Sequence, residues 1–247
     1  MSASDGARQL LPLPVTGRHF STTRKVRLGD TTPKGRLRFD AIARYLQDVA
    51  NDDARDADLD DAMWWILRRT KLVVDEPIRF DEWVTLTTWC SGFGGRWAER
   101  RTELVGDMGG RVEAVALWVF VDRDTGAPRR LAPEFIDVYG EACAGRKVRA
   151  RLFHDDPPID ASTEPWHVRY VDLDVIGHVN NAVYWAAVEE SMADSRTGGR
   201  VRASVEFRSG IEARSEVILR RSTTESGESG WFDVDGGIAA SYRWVIS

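Results

Sequence analysis

The segment Arg27-Leu-Gly-Asp30 returns as Arg169-Tyr-Val-Asp172, a shift of 142 positions, and the same ungapped shift lays Gly35 on Gly177 and Tyr45 on Ala187. A chain that carries one unit twice must bury two helices of related position, which restricts its architecture more than composition does. In the first copy Ile42, Tyr45, Leu46 and Val49 fall at i, i+3, i+4 and i+7, one apolar helix face, with Asp40 as the expected N-cap. The second helix, about Asn181 to Asp194, runs Ala182-Val-Tyr-Trp-Ala-Ala-Val188 with no polar gap. A helix apolar on nearly every side must be wrapped, and a sheet curled around it does this.

Strand patterns follow each helix. Val84, Leu86, Thr88 and Cys90 alternate with Trp83, Thr85, Thr87 and Trp89; Arg96 to Val105 continues as a strand, Gly106 to Gly110 reads as a turn, and Val112 to Val121 as a mostly apolar strand. In the second half Val205 to Arg208, Ser215 to Ser222 and Ile238 to Ile246 read as extended, and Thr224 to Gly230 as a polar loop. Glu141 to Pro165, rich in Arg, Asp and Pro, suits an exposed linker. The expected organisation is a flexible lead over 1–20, a first lobe over 21–140, a linker over 141–165 and a second lobe over 166–247. The expected class is α+β, each lobe an antiparallel sheet around a central helix.

Bulk properties exclude several roles. The 247 residues are 43% hydrophobic and 30% charged, ordinary for a soluble chain, and the net charge of −5 gives no reason to expect nucleic acid binding. Two cysteines, Cys90 and Cys143, show neither paired spacing nor a metal knuckle, so a reduced, cytoplasmic protein is expected. The apolar patch Leu10-Leu-Pro-Leu-Pro-Val15 is short and broken by two prolines, unlike a signal peptide or a membrane span. No Gly-x-Ser-x-Gly elbow, phosphate loop or dinucleotide fingerprint occurs.

The chemistry concentrates in Tyr170-Val-Asp-Leu-Asp-Val-Ile-Gly-His-Val-Asn-Asn-Ala-Val-Tyr184, where an extended segment enters the second helix. Amides of a first helical turn lack intrahelical partners and, with the helix dipole, can hold a developing oxyanion while a nearby carboxylate acts as base. This is equipment for attack on a carbonyl. By the repeat, Asp174 faces Thr32, His178 faces Arg36 and Asn180 faces Arg38, so the first copy keeps the helix and lacks the reactive side chains. Asp172 persists as Asp30 and reads as structural.

The run resembles the acid and Gly-His-Val-Asn-Asn turn of hotdog-fold thioesterases, and the acyl-acyl-carrier-protein thioesterases resemble the chain over most of its length, roughly Arg24 to Val245. Trp65 to Pro77, Trp83 to Trp89 and Ala116 to Gly126 look like their first-lobe strands. The resemblance implies two tandem hotdog lobes, the first housing the acyl chain and the second hydrolysing fatty acyl-carrier protein during fatty acid biosynthesis. It implies Asp174 as general base or nucleophile and His178 as its catalytic partner. It further implies Gly177, Val179, Asn180 and Asn181 as oxyanion and positioning residues, with no cofactor and no metal. Two positions depart from the plant pattern: Ile176 stands where those enzymes carry Asn, and their later Glu-Cys pair falls near Gly210 and Ile211, leaving Glu212 as a weak candidate. An acyl-CoA thioesterase and a non-catalytic acyl-binding protein are the alternatives. Trp64, Trp65, Trp83, Trp89 and Trp97 are expected to line a lipid tunnel. The arginine pairs 68–69, 100–101, 129–130 and 220–221, with the basic run 146–151, are expected to dock the acidic carrier. A homodimer stands beside a self-sufficient pair of lobes as the expected assembly.

Overall fold

Alternation of side chains along extended segments puts one apolar row on each strand, and these rows build a single antiparallel sheet of ten strands. The computed structural model describes residues 11–59, 64–193 and 199–247. The strands are β1 His19–Lys25, β2 Trp64–Glu76, β3 Trp83–Phe93, β4 Trp97–Gly106, β5 Arg111–Val121, β6 Ser162–Trp166, β7 Val201–Phe207, β8 Val217–Thr224, β9 Gly227–Val234 and β10 Gly237–Ile246. They run in the order β1-β3-β4-β5-β2-β7-β10-β9-β8-β6. Strands of the first half lie on one side of the β2–β7 seam and those of the second half on the other. At the seam Thr70 faces Val205 and Leu72 faces Ala203.

Helices α1 (Phe39–Asp56) and α3 (Asn181–Ser191) share one core with the inward rows Leu67 and Leu72, Val84 and Leu86, Val112 and Ala114, Ala203 and Val205, and Ala240 and Tyr242. A short helix α2, Pro133–Tyr139, joins Trp65, Phe120 and Cys143 in a second cluster at the end of the first-half strands. The fold is therefore an α+β arrangement of hotdog type.

Five expectations need correction. The N-cap of α1 is Arg38, not Asp40; Asp40 lies inside the first turn and takes the guanidiniums of Arg38 and Arg44 at 2.8 and 2.6 Å. The second helix ends at Ser191, and Asp194 lies outside the described residues, as do residues 1–10 of the lead. The polar loop over Thr224 to Gly230 is a two-residue hairpin, Glu225-Ser226, with β9 beginning at Gly227. Its glycines belong in the strand because a side chain at Gly230 would meet the Tyr242 ring at 2.2 Å and one at Gly227 the Trp244 carbonyl at 2.1 Å. The segment 141–165 is more than a linker. It straps the outer face of the sheet, and its last residues form β6. Trp97 Nε1 donates to Val148 O (2.9 Å), and the buried Glu206 carboxylate accepts from the amides of Phe153 and His154 (2.7 and 3.1 Å). The His154 ring bridges Ser241 and Ser204, and Trp231 Nε1 reaches Asp155 O at 2.7 Å. At the other end, β1 starts inside the expected lead, and Arg18 pairs with Asp53 and Asp56.

Candidate active site

The turn ahead of α3 is held by its own backbone. The Arg169 amide donates to Asp172 Oδ2 (2.8 Å), and the Asp172 carbonyl accepts from Asn180 N–H (2.8 Å). Within that frame Asp174 N–H donates to the His178 carbonyl (2.8 Å) and Gly177 N–H to the Asp174 carbonyl (3.0 Å). Gly177 sits at φ +81°, a region open to glycine and strained for other residues, which is why glycine closes the loop. Val179 N–H donates to Ile211 O at 2.8 Å, tying the turn to the segment ahead of β8.

The first half repeats these bonds. Thr32 N–H donates to Arg36 O (2.8 Å), Gly35 N–H to Thr32 O (2.8 Å), Leu37 N–H to Ile78 O (2.8 Å) and Arg38 N–H to Asp30 O (2.9 Å), with Gly35 at φ +76°. The backbone of the turn is thus preserved in both copies, and only side chains distinguish them.

The side chains diverge most at the two helix starts. At the start of α1, Glu189 of α3 takes the Arg36 guanidinium through both oxygens (3.1 and 2.5 Å) and the Phe39 amide through Oε2 (3.1 Å). The repeat places Gln47 of α1 where Glu189 stands on α3, and Asn181 where Phe39 stands. At the start of α3, Gln47 Nε2 donates to Asn180 Oδ1 (3.4 Å), which also caps the helix by accepting Ala182 N–H at 2.9 Å. One helix start is plugged by a carboxylate. The other meets a neutral amide.

Three spaces converge on Gln47. A groove of about 640 Å³ is lined by Arg24, Lys25, Arg27, Arg44, Gln47 and Asn180. A throat of about 20 Å³ lies between Gln47, Asn181, Trp185, Leu46, Ala114 and Trp118. A chamber of about 470 Å³ in the first half is walled by Trp64, Trp65, Arg100, Trp118, Phe135 and Tyr139. Ala43, Ala50 and Ala54 of α1, with Ala98, Ala114 and Ala116 of the sheet, leave the room.

Of the residues singled out in the sequence, Asn180 and Asn181 reach these spaces. Asp174 and His178 stand on the turn outside their lining. Asp174 is half-buried, with Oδ1 accepting the Ile176 amide at 3.0 Å. Burial, and after it the charge of Asp174, push the Tyr184 phenol well above its ordinary value. The His178 ring lies against Gly210, where an added Cβ would meet Nδ1 at 2.9 Å, and its backbone bridges to the exposed Glu212. Among the expected tunnel tryptophans, Trp64 and Trp65 line the chamber, while Trp83 stands at the groove and Trp97 bonds the outer strap. Gln47, Arg100 and Trp118 were not anticipated there; a glutamine on the alanine-bearing face of α1 was the available signal. Arg100 and Arg101 split across the sheet, because neighbours on a regular strand point to opposite faces. Arg100 faces the chamber, Arg69 and Arg101 are buried, and Arg220 and Arg221 pair with Asp233 and Glu164.

Among the described residues no group of His, Cys, Asp and Glu is placed to hold a metal, and no helix is long and apolar enough to cross a membrane.

Two family models match in order: the acyl-ACP thioesterase N-terminal domain over residues 17–139 and the acyl-ACP thioesterase C-terminal domain over 156–228. The chain belongs to the acyl-ACP thioesterase family. It is a thioester hydrolase, and its reaction is hydrolysis of fatty acyl chains from acyl-carrier protein. An uncharacterized protein of Mycobacterium tuberculosis is 32% identical to this thioesterase over 213 residues, 85% of each chain. The putative oleoyl thioesterase of Lactobacillus plantarum shares its fold with a TM-score of 0.76 at 18% identity, over 95% of this chain and 99% of that one. The 12:0-ACP thioesterase of Umbellularia californica does so with a TM-score of 0.76 at 20% identity, over 94% and 99%.

Proposed function

We propose that the chemistry takes place at the start of α3, in the second of two tandem hotdog lobes, while the first lobe houses the acyl chain. The observation that carries this reading is the contrast between the two helix starts: Glu189 occupies the Phe39 amide, whereas Gln47 leaves the Asn181 end facing the throat.

In this reading the acyl chain lies in the chamber and passes the throat at Gln47. Its carbonyl oxygen rests at the amides opening α3, where the helix dipole and Asn180 support the growing negative charge. Asp174 takes a proton from water as the water oxygen bonds to the carbonyl carbon. The tetrahedral intermediate then collapses, the thiolate leaves and is protonated, and the fatty acid is released. His178 orients the acid, and Glu212 adjoins His178 through the backbone bridge. Asp174 lies outside the groove lining, so the bound thioester and its water must bring the reacting atoms to the turn; unliganded sites are commonly this open. The carrier arm lies in the groove among Arg24, Lys25 and Arg44. One chain supplies both helix starts, so a homodimer is not required, and the cytoplasm supplies the acyl-carrier substrate.

The test is Asp174→Asn measured with acyl-carrier protein and with acyl-CoA. Turnover falls about a hundredfold or more with the fold intact, as for loss of a positioned acid–base group. Near-normal turnover by the variant would remove Asp174 from the mechanism, and faster wild-type hydrolysis of CoA esters would favour that carrier.

A further inference from the structure

The chamber contains something a plain hydrocarbon chain has no use for: hydrogen-bond donors. Trp118 lines both throat and chamber, and its Nε1–H is buried with no partner among the described residues. Arg100 lines the same two spaces. In the β4–β5 register Ala98 faces Trp118 and Arg100 faces Ala116, so Arg100 and Trp118 are diagonal neighbours on the inward face.

The charge of Arg100 is already balanced. Its Nη1 donates to Asp53 Oδ2 (2.6 Å) and Thr88 Oγ1 (3.3 Å), and Asp53 also takes Tyr139 Oη (2.9 Å) and Arg18 Nε (2.9 Å). A compensated guanidinium offers N–H groups to a neutral oxygen more readily than it demands a second carboxylate. Holding α1 to the sheet through Asp53 would explain Arg100 by itself. It does not explain why the wall residue Trp118 carries an indole N–H that is buried and unbonded among the described residues, where phenylalanine would be aromatic without a polar atom. A methylene chain laid against that N–H leaves it unpaired, and a site built to bond an oxygen discriminates against the analogue that lacks it.

We propose that the acyl chain released by this enzyme carries a neutral oxygen substituent, a hydroxyl or oxo group, which accepts from Trp118 Nε1–H and Arg100 part-way along the chamber. This rests on the reading that the chamber holds the acyl chain.

The experiment uses carrier-protein thioesters of one chain length, saturated or with a hydroxyl or oxo group moved carbon by carbon. One or two adjacent positional isomers are expected to exceed the saturated chain in kcat/KM by about tenfold or more, the worth of one hydrogen bond to a buried donor. Trp118→Phe, which keeps an aromatic ring and removes the N–H, is expected to lose most of that ratio. A saturated chain turned over as well as every isomer overturns the proposal, and so does an undiminished ratio in the variant. Calorimetry of the free acids on the wild-type enzyme gives the same comparison without turnover or a variant. Tighter binding of a hydroxy or oxo acid by about tenfold supports the proposal and equal binding sinks it. If no thioester is hydrolysed, the reading of the catalytic site fails, and calorimetry still decides the chamber.

Discussion

Glu189 and Gln47 occupy matching places on α3 and α1 and do opposite things: the carboxylate of Glu189 closes the start of α1, and the amide of Gln47 turns to Asn180 at the start of α3. Gln47→Glu should therefore install the plug on the proposed active side. The new carboxylate would compete with the oxyanion for the α3 amides. A fall in kcat/KM of about a hundredfold is expected, comparable to losing one oxyanion donor. Steady-state kinetics on acyl-carrier protein checks this, and an unchanged rate would break the equivalence.

The plug itself is structural. Glu189→Ala removes a two-pronged ion pair and the acceptor for the Phe39 amide, leaving Arg36 and that amide without their partner. A loss of about 2 kcal/mol in unfolding free energy is expected. Urea unfolding measures it, and activity per folded molecule should stay at the wild-type level.

Much of this architecture is legible in the chain. The first helix announces itself by periodicity and the second by its unbroken apolar run, and the ungapped shift of the turn exposes the repeat because the backbone bonds of both turns are the same. The strand β9 is not legible, since Gly227 and Gly230 read as loop residues until Trp244 and Tyr242 are seen lying against them. Nor is the strap: His154 bonds Ser241 and Asp155 accepts from Trp231, distant partners that composition does not connect. Within the site, Asn180 and Asn181 could be found from the motif. The chamber could not, because its space comes from alanines on three separate elements that meet only after folding.

Chamber volume should set chain length. Ala54→Leu adds three carbons to the wall beside Leu59, Trp65 and Phe135. Each methylene of substrate contact is worth roughly 1–3 kcal/mol, so preference should move to shorter acyl chains by one or two carbons or more. Product analysis by chain length reads the change, and an unaltered profile would place the chain elsewhere.

Acid should unfold the protein partly through Glu99. Burial alone would raise its carboxyl, but the Arg146 hydrogen bond and charge, with the Ser91 hydroxyl and Arg101, hold it below the ordinary 4.5. The folded state thus binds this proton more weakly than the unfolded chain. The stabilisation is complete above about pH 4.5 and drains away as pH falls through the lowered folded value. Glu99→Gln should be less stable at neutral pH by about 1–2 kcal/mol and should decline less steeply in acid. Unfolding midpoints across pH 3 to 7 test it, and parallel curves for the two proteins would exclude Glu99.

The covalent join between the two copies has a consequence that a pair of identical subunits could not reach. In a symmetric dimer of separate chains, any residue that seals one crossing of the helices seals its mate, so neither end can specialise. Once both ends are encoded at different positions of one polypeptide, glutamate can silence the first while glutamine keeps the second open. On the proposed reading, the silenced half is then free to hollow out around a long guest, and asymmetry becomes heritable.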